Sequence, residues 1–211
     1  MALSSASVGA YNVDHDIWHN VSRSNLSQRG GLHRGDFVVT RGPRSALEAA
    51  AYHEAGHAVI GRVLRLTCGH VTIKPDSDSI GHVIIRDPWQ TIQDWEDRQH
   101  FRDPASAFRG TIIARMAGRE AELEIFGTQG DEGDYHDDER QIALLLQDAE
   151  PWGDPDRFKT RLRGKTRGLV RRHRQSIERI AQALLSRGVL TRDAVEAIMA
   201  QQPDRRSHQA G

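Results

Sequence analysis

The chain has 211 residues and carries equal numbers of basic and acidic side chains, 29 of each. That length allows one domain with a substantial core and tails, and a net charge of zero gives no general drive towards nucleic acid or an anionic membrane. Cys68 is the single cysteine, which excludes an intramolecular disulfide and a cysteine-ligated zinc site.

No stretch is apolar for the length of a membrane span. The opening MALSSASVGAYNVDHD lacks both the basic leader and the apolar segment of a signal peptide. A cytoplasmic location without membrane contact is therefore expected. From Met1 to Arg44 the chain is polar, with Ser, Gly, Asn and Arg among few apolar residues, and is expected to form a loosely attached arm. Within it, Asp36 to Thr40 suits a short strand. The domain proper is expected from Ser45 to Ala200, and the tail from Gln201 to Gly211 is expected to fray.

Ser45-Ala-Leu-Glu48 fits a capping box, in which the Ser45 hydroxyl accepts a backbone N–H and Glu48 reaches back to the cap. It opens a helix through LEAAAYHEAGHAVIGRVLRL, where Leu47, Ala50, Ala51, Ala55, Ala58, Val59 and Leu66 recur at helical spacing. Next, His70 to Lys74 alternates as a strand, Pro75 to Ser79 makes a turn, and Ile80 to Arg86 forms a second strand; the three predict a hairpin. Asp87-Pro88 is expected to end it, and Asp94 to Arg102 is too charged to assign. A long helix is predicted over Pro104 to Phe126, stopping near Gly127, followed by an acidic loop from Gly130 to Asp134. Further helices are predicted from Tyr135 to Asp148, through the basic stretch after Pro155, from Ile177 to Ser186, and from Thr191 to Ala200 with Thr191 as cap. The predicted class is mainly α with a small β-hairpin near the first helix.

The chemistry concentrates in the first helix, at His53-Glu-Ala-Gly-His57. Two histidines four positions apart are separated by about 400° of helical rotation, so both imidazoles occupy nearly one face, one turn apart. That arrangement suits one zinc ion, with Glu54 placed to act as general base on water activated by the metal. A polar triplet in an otherwise apolar helix needs partners, and a metal supplies them. A catalytic zinc takes a third protein ligand and leaves a position open. Residue types alone leave that ligand undecided among His70, His82, His100, His136 and many carboxylates.

Three blocks in order, AYHEAGHAVIG, MAGREAELEIFG and GDYHDDERQIALL, resemble the peptidase domain of the FtsH-type ATP-dependent zinc proteases. The hairpin around Val71 to Ile85 and the closing IERIAQALLSRGVLTRDAVEAI are similar too, so the likeness runs from about Ala46 to Met199. The resemblance implies a zinc metalloendopeptidase with Zn2+ held by His53, His57 and Asp137, and Glu54 as general base. Asp137 matches the family's aspartate ligand, while Asp138 and Asp134 are the flanking alternatives, expected to be solvated. Glu122 matches a family glutamate and is a candidate to orient a ligand imidazole; the alternative for Glu120, Glu122 and Glu124 is a charged outer face.

By the same resemblance the partners are polypeptide substrate, a separate ATPase or unfoldase, and further copies in a six-membered ring. The family's ATPase module does not fit into the segment before Ala46, so a free-standing peptidase acting on unfolded or exposed polypeptide is expected. The rival readings are a regulatory protease cutting one specific partner and a non-catalytic peptide-binding adaptor. The edge of Ile80 to Ile85 is a candidate for pairing with extended substrate. Gly164-Lys-Thr166 resembles the end of a phosphate loop but has Lys159 where the earlier glycine is required, and is rejected as an ATP site. The basic run from Arg157 to Arg174 is expected to be a solvated face or to meet the acidic Asp131 to Glu139 region of a neighbouring subunit rather than nucleic acid. Trp89 and Trp95 are read as packing anchors, His82 as a surface residue, and Cys68 as a small buried side chain.

Overall fold

The computed structural model describes residues 45–75, 81–100, 102–128, 136–148 and 154–201. The expected N-terminal arm with its strand at Asp36 to Thr40, the acidic loop and the C-terminal tail lie outside these residues.

Helix α1 (Ala46–Val63) starts as its capping signal requires, with the Ser45 hydroxyl accepting from the backbone N–H of Glu48 at 3.1 Å. Every residue from Ala50 to Gly61 is buried, so α1 is packed on all sides and its sequence shows little amphipathic contrast. Helix α3 (Ala105–Phe126) is similarly enclosed and runs against α1. Their approach depends on small residues. A Cβ on Gly56 would meet the Ala117 carbonyl oxygen at 2.5 Å and the Ala121 methyl at 2.8 Å. Helix α6 (Arg174–Arg187) packs on α1, α5 (Pro155–Arg172) on α3, and α4 (His136–Asp148) also on α3. The protein is mainly α, as predicted.

The predicted hairpin forms between β1 (Cys68–Thr72) and β2 (His82–Ile85), antiparallel, with Val71 opposite Val83. A third strand, β3 (Val189–Leu190), pairs antiparallel with the other side of β1, giving the order β2-β1-β3. Two residues are too few to show alternation. What places them is Gly188, whose φ of 76° ends α6 and turns the chain onto β1. Helix α7 (Arg192–Ala200) follows with Thr191 as its cap, the hydroxyl accepting from Ala194 N–H at 3.3 Å.

Asp87-Pro88 does more than end a strand. Asp87 caps a further helix, α2 (Pro88–Asp97), by accepting from Trp89 N–H at 2.8 Å, and Pro88 occupies the first turn, where no N–H is needed. Trp95 anchors α2, with its indole N–H donating to the Arg65 carbonyl at 3.1 Å. Trp89, by contrast, is exposed and meets Phe108 edge-on.

The basic run on helix α5 is a largely solvated face, as expected, and several of its cations find acidic partners within the same chain. Lys159, Arg163, Arg167 and Arg171 stand one turn apart. Lys159 and Arg163 hold Glu139 at 2.7 and 2.6 Å, Arg167 holds buried Glu120 at 2.9 Å, and Arg171 holds Glu124 at 3.2 Å. Gly164-Lys-Thr166 lies inside this helix, with the Thr166 hydroxyl donating to the Leu162 carbonyl, and forms no phosphate loop. No helix among the described residues is long and apolar enough to cross a membrane.

The α1–α3 contact gives a direct stability prediction. Gly56→Ala is expected to destabilise the fold by about 1–3 kcal/mol through overpacking against backbone, read as a lower midpoint in urea. An unchanged midpoint would mean that the helices separate freely.

Candidate metal centre

His53 and His57 project from the middle of α1 into the space between α1, α3 and α4, and both are buried. The outer nitrogens are committed. His57 Nδ1 donates to the Ala114 carbonyl at 2.7 Å, and His53 Nδ1 donates to Glu122 Oε1 at 2.9 Å. A carbonyl or an ionised carboxylate only accepts, so each Nδ1 carries the hydrogen and each neutral ring turns an Nε2 lone pair inward. Those two Nε2 atoms are 2.9 Å apart. Asp138 Oδ2 lies 3.1 Å from that of His53 and 2.9 Å from that of His57. Three lone pairs thus converge on one point.

Without a cation that geometry is repulsive, and a proton must relieve it. Burial alone lowers the His53 pKa, but the hydrogen bonds to Asp138 and Glu122 hold it well above the ordinary value. Burial raises that of Asp138, yet the neighbouring His57 and His53 hold it well below the usual carboxylate range. One proton satisfies one edge of the triangle; a divalent cation satisfies all three donors. Zinc at its usual bond lengths of about 2.0–2.2 Å sets tetrahedral ligand atoms about 3.3 Å apart, close to the observed edges. Two imidazoles and one carboxylate, with a fourth position left over, is a catalytic zinc donor set. Among the described residues, His53, His57 and Asp138 form the group with metal-ligand spacing.

The carboxylate that the structure brings to the two imidazoles is not the one the family resemblance indicates. Asp137 is partly exposed and stands outside the group, and the structure gathers Asp138 instead. The reason is helical register. The buried positions of α4 are Asp138, Ile142 and Leu145, spaced four and three apart along one stripe, and a one-residue shift turns a side chain by about 100°. The flanking candidate Asp134 lies outside the described residues. His82 is buried rather than on the surface, packs edge-to-face with His70 at 5.6 Å and is not part of the ligand group, while His100 and His136 are exposed.

Helix α3 supplies the wall behind the site through one stripe: Arg115, Gly118 and Glu122. Glu122, at 4% exposure, is an imidazole acceptor and not part of an outer charged face. A Cβ on Gly118 would stand 2.6 Å from both Nε2 atoms, so only glycine leaves the point of convergence open. Arg115, buried at 3% exposure, lies with Nη1 3.7 Å from the second carboxylate oxygen of Asp138. Sequence reading passed over both Gly118 and Arg115, although the spacing 115, 118, 122 aligns them with a residue it had singled out.

Glu54 completes the set. It is fully buried, neither carboxylate oxygen has a hydrogen-bond partner among the described residues, and burial pushes its pKa up to about 7 against the pull of His57 and His53. A carboxylate so poised near neutrality suits a general base.

Two substitutions separate this ligand set from its rival. Asp138→Ala is expected to lower zinc affinity by at least about 100-fold, whereas Asp137→Ala leaves zinc stoichiometry unchanged; the opposite ranking would restore Asp137. Gly118→Ala should also empty the site of zinc in metal analysis while the far-ultraviolet circular dichroism stays that of the parent.

Comparison with known proteins agrees with this geometry. The ATP-dependent zinc metalloprotease FtsH 1 of Symbiobacterium thermophilum is 31% identical over 196 residues, covering 77% of this chain and 32% of the relative. The ATP-dependent zinc metalloprotease FtsH of Acidimicrobium ferrooxidans is 29% identical over 113 residues, covering 53% of this chain and 16% of the relative. No protein-family model matches the chain. The chain thus spans a third or less of the length of these curated relatives. The aligned share of the chain, together with the buried histidine–histidine–aspartate cluster, makes this an FtsH-like peptidase domain.

Proposed function

We propose that the domain is a zinc-dependent endopeptidase that hydrolyses extended polypeptide, with zinc held by His53, His57 and Asp138 and Glu54 as general base. The observation that supports this reading is Glu54: a buried carboxylate with neither oxygen hydrogen-bonded among the described residues, beside three converging lone pairs. A purely structural buried glutamate is ordinarily paired, and an adaptor has no use for one left this way. When bound, zinc supplies a Lewis acid that polarises a carbonyl and lowers the pKa of water.

The chain's own groups do the rest. Glu54 takes the proton from the attacking water and returns it to the leaving amine. Glu122 and the Ala114 carbonyl hold the two imidazoles in the tautomer that presents Nε2 inward. Gly81, just before β2, brings the sheet against the site, since a Cβ there would meet Glu54 Cγ at 3.1 Å. Among the described residues no strand lies beyond β2, so an extended peptide added to that edge passes beside Glu54. Only unfolded or locally exposed chain can pair in this way. Folded substrates then need a separate unfolding activity; the relatives are named as ATP-dependent proteases.

Glu54→Gln keeps the shape and removes the base. Zinc content should stay at the parent value, while cleavage of a denatured protein substrate falls by about 100-fold or more. Retained cleavage with retained zinc would overturn the mechanism. Loss of zinc together with activity would move Glu54 from base to ligand support.

A further inference from the structure

At the far end of α1 from the histidines lies a recess of about 230 Å³ between the C-terminal ends of α1 and α2 and the first turn of α7. Its lining includes the arginines Arg62, Arg65, Arg98, Arg102 and Arg192, with His100 beside them, and among the described residues no Asp or Glu lines it. The carboxylates bonded to its walls are already engaged. Glu196 is shared by Arg62 and Arg192, and Asp94 accepts from the Thr67 hydroxyl at 2.6 Å. Arg65, Arg98 and Arg102 have no carboxylate partner among the described residues, although Arg102 stands over the Trp95 ring at 5.3 Å.

Five arginines around one small recess repel one another, and burial together with Arg192 and Arg98 holds the Arg62 pKa below its ordinary value. The helix dipoles explain part of the gathering, because the C-terminal ends of α1 and α2 attract cations. They do not explain Arg192. It is the first residue of α7, where the dipole is positive and opposes a cation. Backbone geometry points the same way. Arg65 and Gln99, which end α1 and α2 at the recess, have left-handed backbones with φ of 60° and 55°, a conformation that glycine or asparagine adopts at less cost. Arg65 thus brings an exposed guanidinium to the recess from a left-handed helix end, beside four other arginines.

From this arrangement we infer that the recess is a binding site for a compact, multiply charged phosphate-bearing anion, separate from the metal centre. Guanidinium forks match phosphate oxygens in pairs, and the volume suits a di- or triphosphate group better than a whole nucleotide. Trp95 serves as the rigid floor, its N–H already spent on the Arg65 carbonyl. The site is independent of the peptidase reading, because none of its residues touches the histidine–aspartate cluster.

The test is calorimetric titration of the full chain with sodium tripolyphosphate at about physiological ionic strength, set against an Arg98→Ala/Arg192→Ala double variant. Both residues are exposed, and the variant should keep the parent's circular dichroism and zinc content. Because both proteins keep the metal centre, any chelation of zinc by the anion contributes equally to both. The expected result is saturable binding by the parent, weakened about tenfold or more in the variant and falling as salt rises. Adenosine triphosphate should bind no more tightly than tripolyphosphate. Equal binding by parent and variant, or no binding by the parent, would overturn the assignment. Hexaglutamate binding as tightly as tripolyphosphate would overturn the phosphate specificity and leave a generic anion surface.

Discussion

The constraint on which the structure turns is the meeting of three lone pairs in a dry interior. Neutral His57 presents a lone pair at Nε2, because its Nδ1–H is donated to the Ala114 carbonyl. His53 is held the same way by Glu122. Asp138 then closes the triangle from a third helix. Donors from α1 and α4, steadied by α3, have to meet to within a few tenths of an ångström. Close helix packing is the means, and small residues make it possible: Gly56 lets α3 approach α1, and Gly118 keeps α3 from filling the point where the donors meet. The alanine-rich sequence of α1 follows from the same need, since bulk on any face would push the partners apart.

The outer helices answer a different problem. Helix α3 carries Glu120 and Glu124 on the side away from the histidines, and α4 carries Glu139 one residue past the ligand. Left alone, these acids would add negative charge around a site that already holds three carboxylates. The one-turn ladder of Lys159, Arg163, Arg167 and Arg171 on α5 neutralises them and fixes α5 along α3 and α4. Glu139 shows the effect: burial alone would raise its pKa, but Lys159 and Arg163 hold it below the ordinary value. The exposed members of the ladder contribute little individually. Glu120 is the exception, being buried at its carboxylate end and therefore in need of its partner.

Much of this was legible in the residues, and the failures share a cause. The first helix, the two strands of the hairpin, the long helix ending at Gly127 and the caps at Ser45 and Thr191 each rest on a local signal, and local signals survive folding. Asp87-Pro88 carried two meanings, a strand terminator and a helix start, and only the burial of Trp95 chooses between them. The strand at Val189–Leu190 exists because β1 offers it an edge, which no window of sequence contains. The basic run is the exposed face it was read as, but its acid partners lie about 20 to 50 positions away, beyond any local pairing rule. Asp137 was preferred to Asp138 by matching letters to a family pattern. The spacing of Asp138 to Ile142 and Leu145 held the better answer, since an apolar stripe shows which side of a helix faces inward.

Charge balance explains why Arg115 belongs in that interior. Burial pushes the Glu54 pKa up to about 7, and two further buried carboxylates, Asp138 and Glu122, stand in the same interior. Burial lowers the His53 pKa, but the hydrogen bonds to Asp138 and Glu122 hold it well above its ordinary value, and Arg115 stands with Nη1 3.7 Å from Asp138. Arg115 and the imidazole of His53 thus bring positive charge to an interior lined by carboxylates, which limits the net charge that an ionised Glu54 would add. A neutral residue at 115 would remove a buried cation from beside Asp138. The carboxylate that departs from the family alignment and the arginine beside it therefore form one unit. The register of α4 and the cation on α3 have to be accounted for together.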